Sequence, residues 1–125
     1  MAAQRSTGTA PEMALRRSLH RRGLRYRLHR RALPELRRTL DIVFPNERVA
    51  VEVRGCFWHA CPKHATWPKH NEQWWKTKLE GNRRRDGETE KALRVAGWRL
   101  VVVWEHEDAE RAASRVERIV RARRA

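Results

Sequence analysis

The chain has 125 residues, with 29 Lys or Arg against 15 Asp or Glu, a formal net charge of +14 and a pI near 11.4. That length suits one domain with a modest core, and the charge points to a polyanionic partner, nucleic acid first, rather than a small acidic substrate. No apolar run approaches the ~20 residues of a membrane span, and Met1 to Gly8 lacks the apolar core and cleavage pattern of a signal peptide, so a reducing cytoplasm with free thiols is expected.

Taken in chain order, Met1 to Gly8 reads as a short flexible arm, and residues 9–125 as the single domain. Thr9-Ala10-Pro11-Glu12 has the spacing of a capping box with proline early in the turn; Leu15 and Leu19 follow four apart, and Gly23 ends the pattern, which predicts a helix over about residues 10–22. Leu24, Tyr26 and Leu28 alternate with Arg25, Arg27 and His29, the period of a half-buried strand with a basic outer face. Arg30 to Leu40, basic and holding Pro34, reads as a connection, Asp41 to Phe44 as a short strand, and Pro45-Asn46-Glu47 as a turn.

In Val49 to Arg54 the valines take one face of a strand, while Ala50, Glu52 and Arg54 share the other. Glu52 and Arg54 next to a strand carrying Asp41 suit either a divalent-cation site that stabilises phosphate charge or an ordinary ion pair on a sheet. Ala65 to Asn71 reads as irregular. A helix starts at Glu72 and is expected to run past Gly81 and Gly87 to Leu93, ending at Gly97. Trp98 to Trp104 is the strongest strand signal and is expected at the centre of the sheet, with Trp98 and Trp104 in the core. Asp108 to Arg124 closes the chain as a helix with Ala112, Val116, Ile119 and Val120 on its apolar side. This order predicts a single α/β domain with a mixed central β-sheet flanked by helices.

The densest chemistry lies in Gly55 to His64, which holds both cysteines of the chain. Cys56, Cys61 and His64 supply soft and imidazole donors for most of a tetrahedral zinc site, with His106 the best fourth candidate because it follows the expected central strand. The alternatives are a Cys56 to Cys61 disulfide, free thiols, or surface histidines, since a Cys-x4-Cys-x2-His run is less specific than paired CxxC motifs.

The run Arg-Val-Ala-Val, then Gly-Cys-Phe-Trp-His-x-Cys-Pro-x-His, Trp-x3-Lys-x3-Asn-x3-Asp, Ala-Gly-Trp and Val-Trp-Glu-His-Glu closely resembles the very short patch repair (Vsr) mismatch endonucleases, from about Thr9 to His106. The resemblance implies a restriction-endonuclease-like fold of the PD-(D/E)xK kind, structural zinc, and magnesium-dependent nicking of double-stranded DNA 5′ to the thymine of a T:G mismatch left by 5-methylcytosine deamination. Carried over by position, it makes Asp41 the principal magnesium carboxylate, His59 the base or water-orienting group, Asp86 its supporting carboxylate, and Glu12 an acid near the metal through water. The Val53 carbonyl falls at a main-chain metal ligand, with Glu52 a further candidate; Cys56, Cys61, His64 and His106 match the zinc set. Phe57, Trp58 and Trp75 match aromatics that wedge beside the mismatch, with Trp75 favoured over Trp74 as the one facing DNA, and Arg54 and Arg85 are the candidate DNA-contacting arginines. The resemblance also implies cooperation with mismatch-repair proteins, and a monomer is expected.

The chain departs from the family in its short arm, in Leu40 before Asp41, and in Glu52 and Arg54, where Glu52-Val53-Arg54 is similar to the ExK of ordinary restriction folds. Two alternatives to the mismatch nuclease therefore stand: a zinc-stabilised DNA-binding module without cleavage, and a nuclease of altered substrate range.

Overall fold

The computed structural model describes residues 9–55 and 72–124. Within them three helices and four strands run in the order α1 (Ala10–Arg21), β1 (Arg27–Arg31), β2 (Thr39–Phe44), β3 (Val49–Arg54), α2 (Glu72–Val95), β4 (Arg99–Trp104), α3 (Ala109–Arg124). The sheet order is β1-β2-β3-β4, antiparallel at the first two junctions and parallel at the third. A parallel neighbour needs a long crossover, and α2 lies within the connection from β3 to β4.

Local chemistry accounts for the helix ends. Thr9 accepts from the Glu12 amide at 3.4 Å through its hydroxyl, and Pro11 occupies the first turn, where its missing N–H costs nothing. At the other end Gly23 takes φ +82°, and the Leu24 amide returns to the Leu19 carbonyl at 3.2 Å. The Glu12 carboxylate is turned to His29 and Arg16.

Two layers of helix enclose the sheet. Leu15 and Leu19 of α1 and Ala112, Ala113, Val116 and Val120 of α3 pack on Ile42, Phe44, Val49, Val51, Val101 and Val103. Burying side chains of this size contributes roughly 1.5–3 kcal/mol each. The opposite face carries Leu40, Val43 and Ala50, with Trp98 and Leu100 partly buried against them. There α2 reaches the sheet through buried Asp86, which meets Arg38 and Arg54.

Three expectations change. β4 is an edge strand beside β3 among the described residues, not the centre of the sheet. Trp98 and Trp104 are accordingly half-buried, with Trp104 under the Arg54 guanidinium at 5.9 Å. The β1–β2 hairpin is longer than the alternation suggested, because Arg31 pairs with Thr39 and draws both into the ladder. Leu24, outside β1, is buried in the core, and Tyr26 stands edge-on to Phe44 with ring centroids 6.1 Å apart. The remaining elements match: α2 runs through both glycines, and α3 buries the expected face.

Candidate active site

Asp41 sits where β2 stops behaving as a regular strand. Leu40 packs with Val43 and Ala50, whereas Ile42 and Phe44 join the opposite core, so the alternation breaks at Asp41. The β2–β3 pairing covers Ile42 to Phe44 and goes no further. Instead, the Val53 amide donates to Asp41 Oδ2 at 2.7 Å, so a side chain takes the place of a backbone acceptor.

Glu12 reaches the same place from α1. Its side chain is fully buried, and Oε2 lies 3.2 Å from His29 Nε2 and 3.4 Å from Arg16 Nη1. Oε1 is buried without a hydrogen-bond partner. His29 stands in β1 opposite Asp41, between the Leu28–Ile42 and Arg30–Leu40 pairs, with Nδ1 3.9 Å from Asp41 Oδ1. Each carboxylate therefore has one oxygen tied by the protein and one left over.

Burial pushes the Asp41 carboxyl up to about 7; the Val53 N–H opposes this, the nearby charges of Glu12 and Glu52 add to it, and Arg38 opposes it. Two buried acids that repel each other and keep free oxygens suit a small hard cation, whose charge would relieve both. Among the described residues no group of three or more His, Cys, Asp or Glu is placed to hold a metal ion, so any cation here would rest on this carboxylate pair and water.

Glu52, Asp86 and Arg54 form a different cluster, against α2. Arg38 Nη2 lies 2.8 Å from both Glu52 Oε2 and Asp86 Oδ1, and Arg54 Nε lies 3.1 Å from Glu52 Oε1 and 3.8 Å from Asp86 Oδ2. Both Glu52 oxygens thus face guanidinium groups, the ordinary ion-pair alternative, while its charge still acts on Asp41. Arg54, expected on DNA, has a side chain only 11% exposed and is turned into this cluster. Neither Arg38 nor His29 was among the residues singled out from sequence.

Arg85 is exposed on α2 and hydrogen-bonds Asn82. Trp74 and Trp75 meet edge to face with centroids 4.7 Å apart; Trp74 is 57% exposed and Trp75 half-buried, so the more open ring is not the one expected on DNA. His106 is exposed in the turn after β4, whose pairing with β3 carries on to Glu105 N donating to Arg54 O at 2.9 Å. His106 therefore lies at the sheet end from which Gly55 leaves β3. Cys56, Phe57, Trp58, His59, Cys61 and His64, with the expected irregular segment after them and the arm before Thr9, lie outside the described residues.

The family described as DNA mismatch endonuclease Vsr matches residues 1–65. The type II nicking enzyme V.NaeI of Lentzea aerocolonigenes is 44% identical over 118 residues, covering 93% of this chain and 71% of that protein. V.XorIIP of Xanthomonas oryzae pv. oryzae, also a type II nicking enzyme, is 48% identical over 105 residues, 82% of this chain and 74% of its own length. The DNA mismatch endonuclease Vsr of Escherichia coli K12 is 32% identical over 101 residues, 78% of this chain and 61% of that protein. Among solved structures, the catalytic domain of the homing endonuclease I-Bth0305I superposes with a TM-score of 0.64 at 15% identity, covering 94% of this chain and all of that one, a likeness of fold.

Proposed function

This chain belongs to the Vsr family and is a DNA endonuclease, and from that premise we propose that it nicks one strand of duplex DNA 5′ to the thymine of a T:G mismatch, with magnesium at Asp41 and Glu12. The observation that carries the reading is the buried pair itself, with Asp41 Oδ2 pinned by the Val53 amide and Glu12 Oε1 left without a partner. Bound magnesium supplies charge neutralisation at the phosphate and at the leaving 3′ oxygen. Asp41 would hold the cation as its ionised carboxylate, with the Val53 carbonyl as a main-chain oxygen and Glu12 ordering water beside them. His59 takes the proton of the attacking water, and Asp86 steadies His59 from α2.

Selectivity rests on the aromatics. Phe57, Trp58 and Trp75 wedge into the stack beside the mismatch, where unstacking costs a few kcal/mol per step and a wobble pair lowers that cost. Arg85 meets phosphate. The wider basic charge draws the chain onto DNA in a salt-dependent manner. The names of the relatives, nicking enzymes and a mismatch endonuclease, favour single-strand cleavage at a mispair.

Structural zinc at Cys56, Cys61, His64 and His106 is part of the same proposal. Its support is the soft donor set and the placement of His106 at the sheet end where Gly55 begins. Such a clamp would restrict His59 without touching substrate. Monomeric action in the cytoplasm, together with mismatch-repair proteins, completes the reading. Two labelled duplexes identical except for T:G or T:A at one position test it: a nick confined to the T:G duplex supports it, and equal cutting of both contradicts it.

A further inference from the structure

Two non-glycine residues among those described hold positive φ, His29 at 52° and Arg48 at 58°. Arg48 closes the turn between β2 and β3, where such a conformation is ordinary. His29 lies inside a strand. A left-handed residue there interrupts the ladder and persists only where its surroundings hold it, and such placements gather at functional sites. The interruption falls opposite Asp41.

We propose that His29 is a positioning residue for the cation site, its imidazole spanning Glu12 and Asp41 and fixing the separation of the two carboxylates that would hold a hydrated divalent cation. This rests on reading that pair as the cation site. The ring presents one nitrogen to each acid, Nε2 3.2 Å from Glu12 Oε2 and Nδ1 3.9 Å from Asp41 Oδ1. The first distance is a contact that restrains Glu12; the second is too long for a hydrogen bond and leaves Asp41 Oδ1 open. On the far side Arg16 meets the same Glu12 oxygen at 3.4 Å, so Oε2 is held from two directions while Oε1 stays without a partner. Glu12 has several side-chain torsions and a like-charged neighbour, and without the ring it would turn away from Asp41. Groups that orient metal ligands in this way change cation affinity and activity by about 10- to 100-fold when removed.

His29→Gly removes the imidazole and the backbone strain together, which separates positioning from folding. Mn2+ binding to the DNA-free protein, followed by electron paramagnetic resonance, gives a readout independent of cleavage. We expect His29→Gly to melt at or above the wild-type temperature, to bind Mn2+ about 10- to 100-fold more weakly, and to lose kcat for nicking by a similar factor. KM for DNA should stay within about twofold. His29→Gln, which keeps a donor and an acceptor, should recover most of the Mn2+ affinity. Wild-type Mn2+ affinity and kcat in His29→Gly would overturn the inference, as would losses in both variants that only follow a lowered melting temperature. Asp41→Asn is the control: if it binds Mn2+ as the wild type does, the cation-site reading itself falls, and His29 falls with it.

Discussion

The Val53 amide donates to Asp41 Oδ2 at 2.7 Å, a bond between a strand's backbone and the neighbouring strand's side chain where the β2–β3 ladder has ended. It holds the carboxylate at the opening between two strands, next to Glu12 from α1. Burial and neighbouring acids then work against ionisation, which is the physical ground for proposing a cation there.

The first consequence concerns stability. Asp41 has its folded-state carboxyl raised from an ordinary 3.8 to about 7, so between those values the native state binds more protons than the unfolded chain. Stability therefore falls as pH rises through this window, by up to about 4 kcal/mol from this group, and the deficit is complete above pH 7. In chelator, Asp41→Asn should be more stable than the wild type at pH 8, and the difference should vanish near pH 4. Urea unfolding at the two pH values measures it; a less stable variant at pH 8 would contradict the account.

Cation binding should show the same group from the other side. A divalent cation must displace the Asp41 proton, so its affinity should rise with pH and level off above about 7. Calorimetric titration with Mn2+ should give binding roughly tenfold weaker at pH 6 than at pH 8, with proton release on the acid side. Affinity independent of pH would place the cation elsewhere.

Arg38 should act as structure, as the cation that joins Glu52 to Asp86. Removing Arg38 leaves Glu52 and Asp86, both under a tenth exposed, with Arg54 as the remaining cation between them. A fully buried pair broken on one side costs about 3–5 kcal/mol, and the part-exposure of Arg38 reduces this, so Arg38→Met should cost about 2 kcal/mol. Chemical denaturation with intact Mn2+ affinity is the expected pattern.

The zinc proposal has a direct stoichiometric test. Elemental analysis of reduced protein should find about one zinc per chain, and His106→Ala should lower its retention under chelation. Metal-free protein of wild-type stability would count against a four-ligand clamp.

Much of this architecture was legible in the residues. Thr9, Pro11 and Gly23 mark the two ends of α1, because capping chemistry is local. α2 crosses Gly81 and Gly87, each costing about 1 kcal/mol in a helix interior, because Leu79, Asp86 and Leu93 are buried along it. The position of β4 was not legible. Helices cover both faces of the parallel β3–β4 pair, so an edge strand there reads as apolar as a central one. Asp41 stands out from strand adjacency and Glu12 only from the family resemblance, and their meeting depends on α1 docking over the sheet. On alternation alone His29 is one more basic residue on an outer face, since alternation carries no sign of a left-handed φ. Arg54 shares a strand face with Glu52, as its spacing required, but Asp86 and Trp104 draw it inward, and both come from distant segments.

Single-turnover cleavage of a T:G duplex across a magnesium titration asks whether Asp41 makes this chain a cation-dependent nickase. The wild type should cut one strand 5′ to the thymine with saturating magnesium dependence, and Asp41→Asn should lose about 10³-fold or more in rate at every magnesium concentration. Cleavage by Asp41→Asn at the wild-type rate, or by the wild type in chelator, would contradict it.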